Sequence, residues 1–144
     1  MAQAIALAEV AAAQGEVPVG ALLVDGASGE VLAQAHNRVE QLSDPTAHAE
    51  LLAIREAAAA SGAKRLTGAD LYVTLEPCPM CAQAIAFARL RRLYFGAYDP
   101  KAGGVEHGPR IFEQPGCNHR PEVIGGLEER RCGALLQAFF QTRR

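Results

Sequence analysis

Apolar residues recur along this chain with two different periods, and the switches between them divide it into elements. Ala2 to Gln14 is alanine-rich with Ile5, Leu7 and Val10 interleaved, and Gly15 follows as a stop, which predicts a helix. Val17 to Asp25 (VPVGALLVD) reads as a strand, DGASGE as a turn and Val31 to Asn37 as a second strand. Two such runs across a turn cluster predict an antiparallel hairpin. Asp44-Pro45-Thr46 has the form of a helix start, a capping side chain followed by a proline whose missing N–H costs nothing in the first turn. The expected helix continues through AHAELLAIREAAAAS to Gly62.

In the second half, Leu71 to Leu75 is a short β-rich run, Pro77 and Pro79 open a helix from Met80 to Leu90, and Leu93 to Tyr98 is another strand. Residues 71–98 therefore read as a βαβ unit with parallel strands. Asp99 to Arg120 reads as a long loop with one helical turn around Arg110 to Glu113, and loops of that length in compact domains are usually functional. Glu122 to Ile124 reads as a last short strand. Leu127 to Arg144 reads as an amphipathic helix with Leu135, Leu136, Phe139 and Phe140 on its apolar side. The expected fold is α/β, a three-layer α/β/α sandwich around a mixed sheet of about five strands.

The length, 144 residues, suits one domain spanning 1–144. A composition 49% hydrophobic and 21% charged is that of a soluble globular protein. The net charge of −2 excludes a wholly basic nucleic-acid binder while leaving room for a local basic patch. No apolar run approaches the ~18 residues of a membrane span. The first residues lack a basic region and are broken by Gln3, Glu9 and Gln14, so they read as part of the fold and not as a signal peptide. The expected setting is the cytoplasm, where thiols stay reduced, and that weighs against a disulfide between Cys78 and Cys81.

Those two cysteines, in EPCPMC, carry the chemical question. C-x-x-C after a strand and opening a helix describes a thioredoxin-like redox pair as well as half of a metal site. A zinc site needs further nitrogen or sulfur ligands, and DPTAHAE, Asp44 to Glu50, offers His48 as a third. Three ligands leave a fourth position open for water, beside which Glu50 stands as a proton carrier. Cys78 and Cys81 lie about 60° apart on a helix and share a face. His48 and Glu50, two residues apart, would diverge by about 200° in mid-helix. At a helix N-terminus, where side chains tilt outward past the first turn, they can converge. Two helix N-termini would then meet at one metal and favour thiolate by about 0.3–1 kcal/mol each.

H-x-E followed by P-C-x-x-C resembles the signature of the zinc-dependent nucleobase and nucleoside deaminases. PVGA (Pro18 to Ala21), HNR (His36 to Arg38), LYVTLEPCPMC, FGAYDPKAGG, PGCNHRPEV and CGALLQAFFQTRR extend the likeness over nearly the whole chain, toward the bacterial tRNA-specific adenosine deaminases. DPTAHAE and EPCPMC are shared with guanine deaminases, so they speak to chemistry more than to substrate. The resemblance implies one zinc per chain held by His48, Cys78 and Cys81. It implies hydrolytic deamination of adenosine to inosine at the wobble position of a tRNA anticodon, an arginine tRNA in the family's usual bacterial case. It implies further that hydroxide made at the zinc would attack C6, with Glu50 as proton shuttle. Asn37 would read the flipped base. Asp99, Lys101 and Asn118 would meet flanking nucleotides, and Phe140 and Arg144 the loop and backbone. A homodimer is implied, with no membrane or DNA partner. The first helix is shorter than usual for the family, which bears on N-terminal packing or the dimer edge.

Plainer readings stand beside these. Asn37 can be a strand-end turn residue and Asp99 a turn starter. Either of Phe139 and Phe140 can be core. Cys117 and Cys132 read as buried or free thiols, His107 and His119 as unconnected with metal, and Met80 as packing. Two other functions remain: a free-base deaminase acting on guanine or cytosine, and a thiol redox protein or inactive zinc-stabilised RNA-binding module.

Overall fold

The computed structural model describes residues 1–143. Along the chain its elements are α1 (Ala2–Ala13), β1 (Gly20–Asp25), β2 (Val31–His36), α2 (Val39–Leu42), α3 (Ala49–Ser61) and β3 (Ala69–Leu75). There follow α4 (Pro79–Ala88), β4 (Arg92–Ala97), a 3₁₀ turn (Ile111–Glu113), β5 (Glu122–Ile124) and α5 (Glu129–Gln141). The sheet order is β2-β1-β3-β4-β5. β1 runs antiparallel to β2 and β3, and β3, β4 and β5 run parallel, with α4 as the crossover expected between β3 and β4.

Alternation along the strands decides the layering. Leu23, Leu71, Val73, Leu93 and Phe95 turn toward Ala53 and Ala57 of α3 and Ile85 and Ala86 of α4, and together they form the main core. On the other face, Gly20 lies under Ala4 and Ala8 of α1, and Gly96 under Cys132 of α5. A second, smaller cluster of Ile5, Ala97 and Cys132 joins those two helices. The result is the expected α/β/α sandwich with a mixed five-stranded sheet. Among the described residues no helix is long and apolar enough to cross a membrane.

α5 starts at Glu129 and not Leu127, and two boundaries in the first half of the chain differ from the sequence pattern by three residues or more, for local reasons. β1 starts at Gly20 and not Val17, because Pro18 has no donor and the Val19 N–H folds back onto the Val17 carbonyl at 2.8 Å. α3 starts at Ala49 and not at Asp44-Pro45. The Asp44 carboxylate is taken by a turn of its own, accepting the Thr46 N–H at 2.8 Å and the Thr46 hydroxyl at 2.7 Å. The first N–H of α3, that of Ala49, is instead met by Asn37 Oδ1 at 2.8 Å, from beyond the end of β2. The short α2 had no counterpart in the pattern; its Glu40 and Gln41 N–H groups donate to the buried carboxylate of Glu16 at 3.1 and 2.8 Å.

The packing of α1 on β1 turns on a missing side chain. A Cβ at Gly20 would overlap the Ala4 carbonyl oxygen and lie 2.7 Å from the Ala8 nitrogen. Gly20→Ala should therefore cost about 1–3 kcal/mol in urea unfolding. Gly116→Ala, where nothing lies within 4 Å, should stay within about 0.5 kcal/mol of the parent. Equal midpoints for the two variants would show that α1 can shift freely over the sheet.

Candidate active site

α3 and α4 lie side by side on one face of the sheet, and both begin at its same edge. His48 is the N-cap of α3 and Cys78 the N-cap of α4, each with extended backbone (φ −77°, ψ 148°; φ −69°, ψ 170°). Neither caps its helix with its own side chain, so both side chains are free to point past the helix ends. Pro79 then starts α4 without a wasted donor, and Cys81 sits buried in the first turn. Because His48 stands outside the helix, the 200° divergence from Glu50 does not arise, and both line one cavity.

The donor atoms converge. His48 Nδ1 lies 3.6 Å from Cys78 Sγ and 3.6 Å from Cys81 Sγ, and all three lie within 4.8 Å of one another. Tetrahedral zinc with Zn–N near 2.0–2.1 Å and Zn–S near 2.3 Å separates a nitrogen from a sulfur ligand by about 3.6 Å. The donor set and its spacing thus fit zinc, and three protein donors leave one position open, as in catalytic rather than structural sites.

The electrostatics agree. Hydrogen bonds from Cys81 and then His48, against the opposing effect of burial, bring the Cys78 thiol down to about 4. Cys81 is pushed up, by its bond to Cys78, by burial and by the nearby Glu50. Burial likewise raises the Glu50 carboxyl, which is 4% exposed. One negative charge is welcome here and further ones are not, until a cation arrives.

The cavity beside these groups, about 730 Å³, opens at the C-terminal ends of β3 and β4, the usual place for a site in such sheets. Asn37, 8% exposed, lines it; with Oδ1 committed to the Ala49 N–H, its Nδ2 is left as a donor. Asp99 lines it too, and also starts a turn, its Oδ1 accepting the N–H groups of Lys101 and Ala102 at 3.2 and 3.0 Å. Lys101 is exposed on that turn and off the cavity wall. Asn118 lies in a separate groove with Lys64, Arg65, Phe87 and Arg89, where its carbonyl accepts Arg89 at 2.7 Å. It is Phe139 of α5 and Arg143, just past its end, that reach the cavity, the guanidinium 3.7 Å above the ring, while Phe140 is half exposed beside them. Arg144 lies outside the described residues.

Other groups take the plainer roles. Cys132 is core, and the half-buried Cys117 thiol donates to the His119 carbonyl. His107 is joined to Glu76, a residue that sequence reading passed over although it stands inside EPCPMC. Burial would raise the Glu76 carboxyl, but hydrogen bonds from the Asp99 N–H, the His107 ring and the Glu106 and Val105 N–H groups hold it below its ordinary value. An acidic residue between a strand end and a proline was the available signal. Glu16 gave none, since its partners come from another element.

Known proteins resemble this chain over most or all of its length. The chain belongs to the cytidine and deoxycytidylate deaminase family, whose zinc-binding region matches residues 1–97. It is 54% identical to the tRNA-specific adenosine deaminase of Agrobacterium fabrum, over 100% of this chain and 93% of that protein. It is 47% identical to the tRNA-specific adenosine deaminase of Bacillus subtilis, over 100% and 88%. A solved structure from work on A-to-I editing by tRNA:A34 deaminases matches with a TM-score of 0.89 and 55% identity, over 92% of this chain and 95% of that one. A guanine deaminase from Bacillus subtilis matches with a TM-score of 0.67 and 32% identity, over 99% and 90%.

Metal analysis of the purified protein should give about one zinc per chain. His48→Ala or Cys81→Ser should drop it at least ~10-fold under dilute chelator. Full zinc retention in both variants would place the metal elsewhere.

Proposed function

We propose that this protein hydrolytically deaminates adenosine to inosine at the wobble position of a tRNA anticodon, with an arginine tRNA as the expected substrate. The observation that carries the reading is the meeting of three zinc donors with the buried carboxylate of Glu50 in one cavity, walled by Asn37 and closed by the last helix. The full-length kinship with tRNA-specific adenosine deaminases selects the substrate class.

When bound, zinc lowers the pKa of a coordinated water toward 7 and so supplies the nucleophile. Glu50 would take one proton of the attacking water and give it to the ring nitrogen next to C6, then take the proton of the hydroxyl left on C6 and give it to the departing amine. The C6–O bond forms, the C6–N bond breaks, and ammonia leaves. A carboxyl raised by burial suits both halves of this exchange, since it holds a proton nearer neutrality than an exposed one would. Asn37 presents its Nδ2–H to an acceptor on the base edge. The target base must first leave its stack, which costs a few kcal/mol and least in a single-stranded loop. Asp99 and Lys101 then meet flanking nucleotides, Asn118 meets RNA farther from the cavity, and Phe140 and Arg144 take the loop and backbone, joined by Phe139 and Arg143.

We further assign residues 1–144 to one deaminase domain acting in the cytoplasm, as a homodimer. Phe87, 70% exposed on α4, is the side chain that a second copy would cover.

Glu50→Ala should keep its zinc and lose at least ~10² in rate, about 2.7 kcal/mol of barrier or more. Normal turnover in that variant would remove Glu50 from the chemistry. Incubation with an anticodon stem-loop bearing wobble adenosine should yield inosine, and incubation with guanine should yield nothing. Xanthine from guanine, with no inosine from the RNA, would move the protein to the free-base deaminases. Light scattering should report twice the monomer mass, reduced to one chain in Phe87→Glu; a monomeric parent would refute the dimer.

A further inference from the structure

β3 and β4 run parallel, with Leu75 opposite Ala97, and part company immediately afterwards. One end feeds the cysteines of α4. The other feeds residues 98–107, which carry Asp99 and Ala102 into the cavity wall. Glu76 sits in the fork. Its side chain has no exposed surface, and its own N–H donates to the Ala97 carbonyl at 2.8 Å.

The loop is wrapped around that carboxylate. Three consecutive N–H groups, of Val105, Glu106 and His107, donate to Oε2 at 3.2, 2.9 and 3.1 Å. The Asp99 N–H and His107 Nδ1 meet Oε1 at 3.0 and 2.8 Å. Successive main-chain donors around one anion make a nest, and here the anion is the protein's own. Two glycines let the wrap close. A Cβ on Gly103 would overlap Glu76 Oε2, and one on Gly104 would lie 2.5 Å from the Pro79 nitrogen. The Gly104 N–H also ties the loop to the Pro77 carbonyl at 2.8 Å.

We propose that Glu76 is a positioning residue for the reaction, setting the height of the 98–107 loop, and with it Asp99, against the metal-bearing end of α4. The proposal rests on the reaction given above. Glu76 lines the cavity, but its side chain is unexposed and every hydrogen bond of its carboxylate goes to the loop, so the carboxylate reaches no substrate. It acts through where Asp99 and Ala102 stand, and so on how the substrate is held and not on the chemical step.

Glu76→Gln tests this. The new amide NH₂ must face either the three consecutive N–H groups or the Asp99–His107 pair, donor against donor. For the anticodon stem-loop, KM and the dissociation constant by fluorescence anisotropy should both rise about tenfold or more, as for a lost charge-assisted hydrogen bond. The kcat should stay within about threefold, and zinc at about one per chain. Amide exchange at Val105, Glu106 and His107 should speed up at least ~10-fold, with Ile85 in α4 unchanged. A fall in kcat at constant KM, loss of zinc, or unchanged exchange would each overturn the proposal. If Glu76→Gln does not fold, Gly103→Ala displaces the same carboxylate and should show the same split between KM and kcat; its absence there counts equally against. A parent enzyme that makes no inosine, but whose loop amides are released by the substitution, would sink the reaction and leave the anchor standing.

Discussion

Four acid-forming side chains, Glu50, Glu76, Cys78 and Cys81, are folded into one corner of this molecule, and anions that close together are tolerated only if each is answered. Glu76 is answered by main-chain N–H groups and His107. Cys78 is answered by the start of α4, Cys81 and His48. Glu50 and Cys81 are both pushed toward their protonated forms, by burial and, for Cys81, first by its bond to Cys78, with a hydrogen bond between the two; both can be anions together only beside a cation. Everything else about the site follows from this demand. It requires two helices to bring their positive ends to one point, which in turn requires both to lie on the same face of the sheet. Alanines at 53, 57, 82 and 86 let them approach it closely.

Much of this was legible in advance, and the reason is locality. The β3-α4-β4 unit, the hairpin and the last short strand were all signalled by residues within the elements themselves. Pro77 and Pro79 marked the start of α4 because proline acts on its own backbone. The His48, Cys78 and Cys81 set could be read because ligand type and order survive in a linear chain. What escaped was whatever depends on a partner far away. The start of α3 was misplaced because its cap is Asn37, on another element, while Asp44 is occupied with Thr46. Glu16 and Glu76 looked like ordinary acidic residues, since main-chain amides leave no trace in a sequence. Phe139 and Phe140 could not be told apart until α5 was seated on the sheet, which turned Phe139 inward.

The likeness to both tRNA-specific adenosine deaminases and a guanine deaminase fits this division of labour. The donors and Glu50 belong to the helix ends, and nothing about them distinguishes one aminated ring from another. In the proposed reading, discrimination falls to the rim: Asn37 with its Nδ2 amide group, the 98–107 loop, and Phe139 and Arg143 near the end of the chain. A free base meets only the inner part of that rim, whereas an RNA loop spans it, so the contribution of α5 should scale with the size of the substrate.

The wrapped loop has an evolutionary consequence. Glu76 holds residues 99–107 by their amides and, apart from His107, ignores their side chains. Gly103 and Gly104 are fixed by the lack of room, Asp99 by the turn that its carboxylate starts and Val105 by its burial in the core. The other positions can change identity while the main chain keeps its path and the metal ligands next door stay undisturbed. A lineage could thus retarget the enzyme by rewriting a few loop letters, without passing through variants that lose their chemistry.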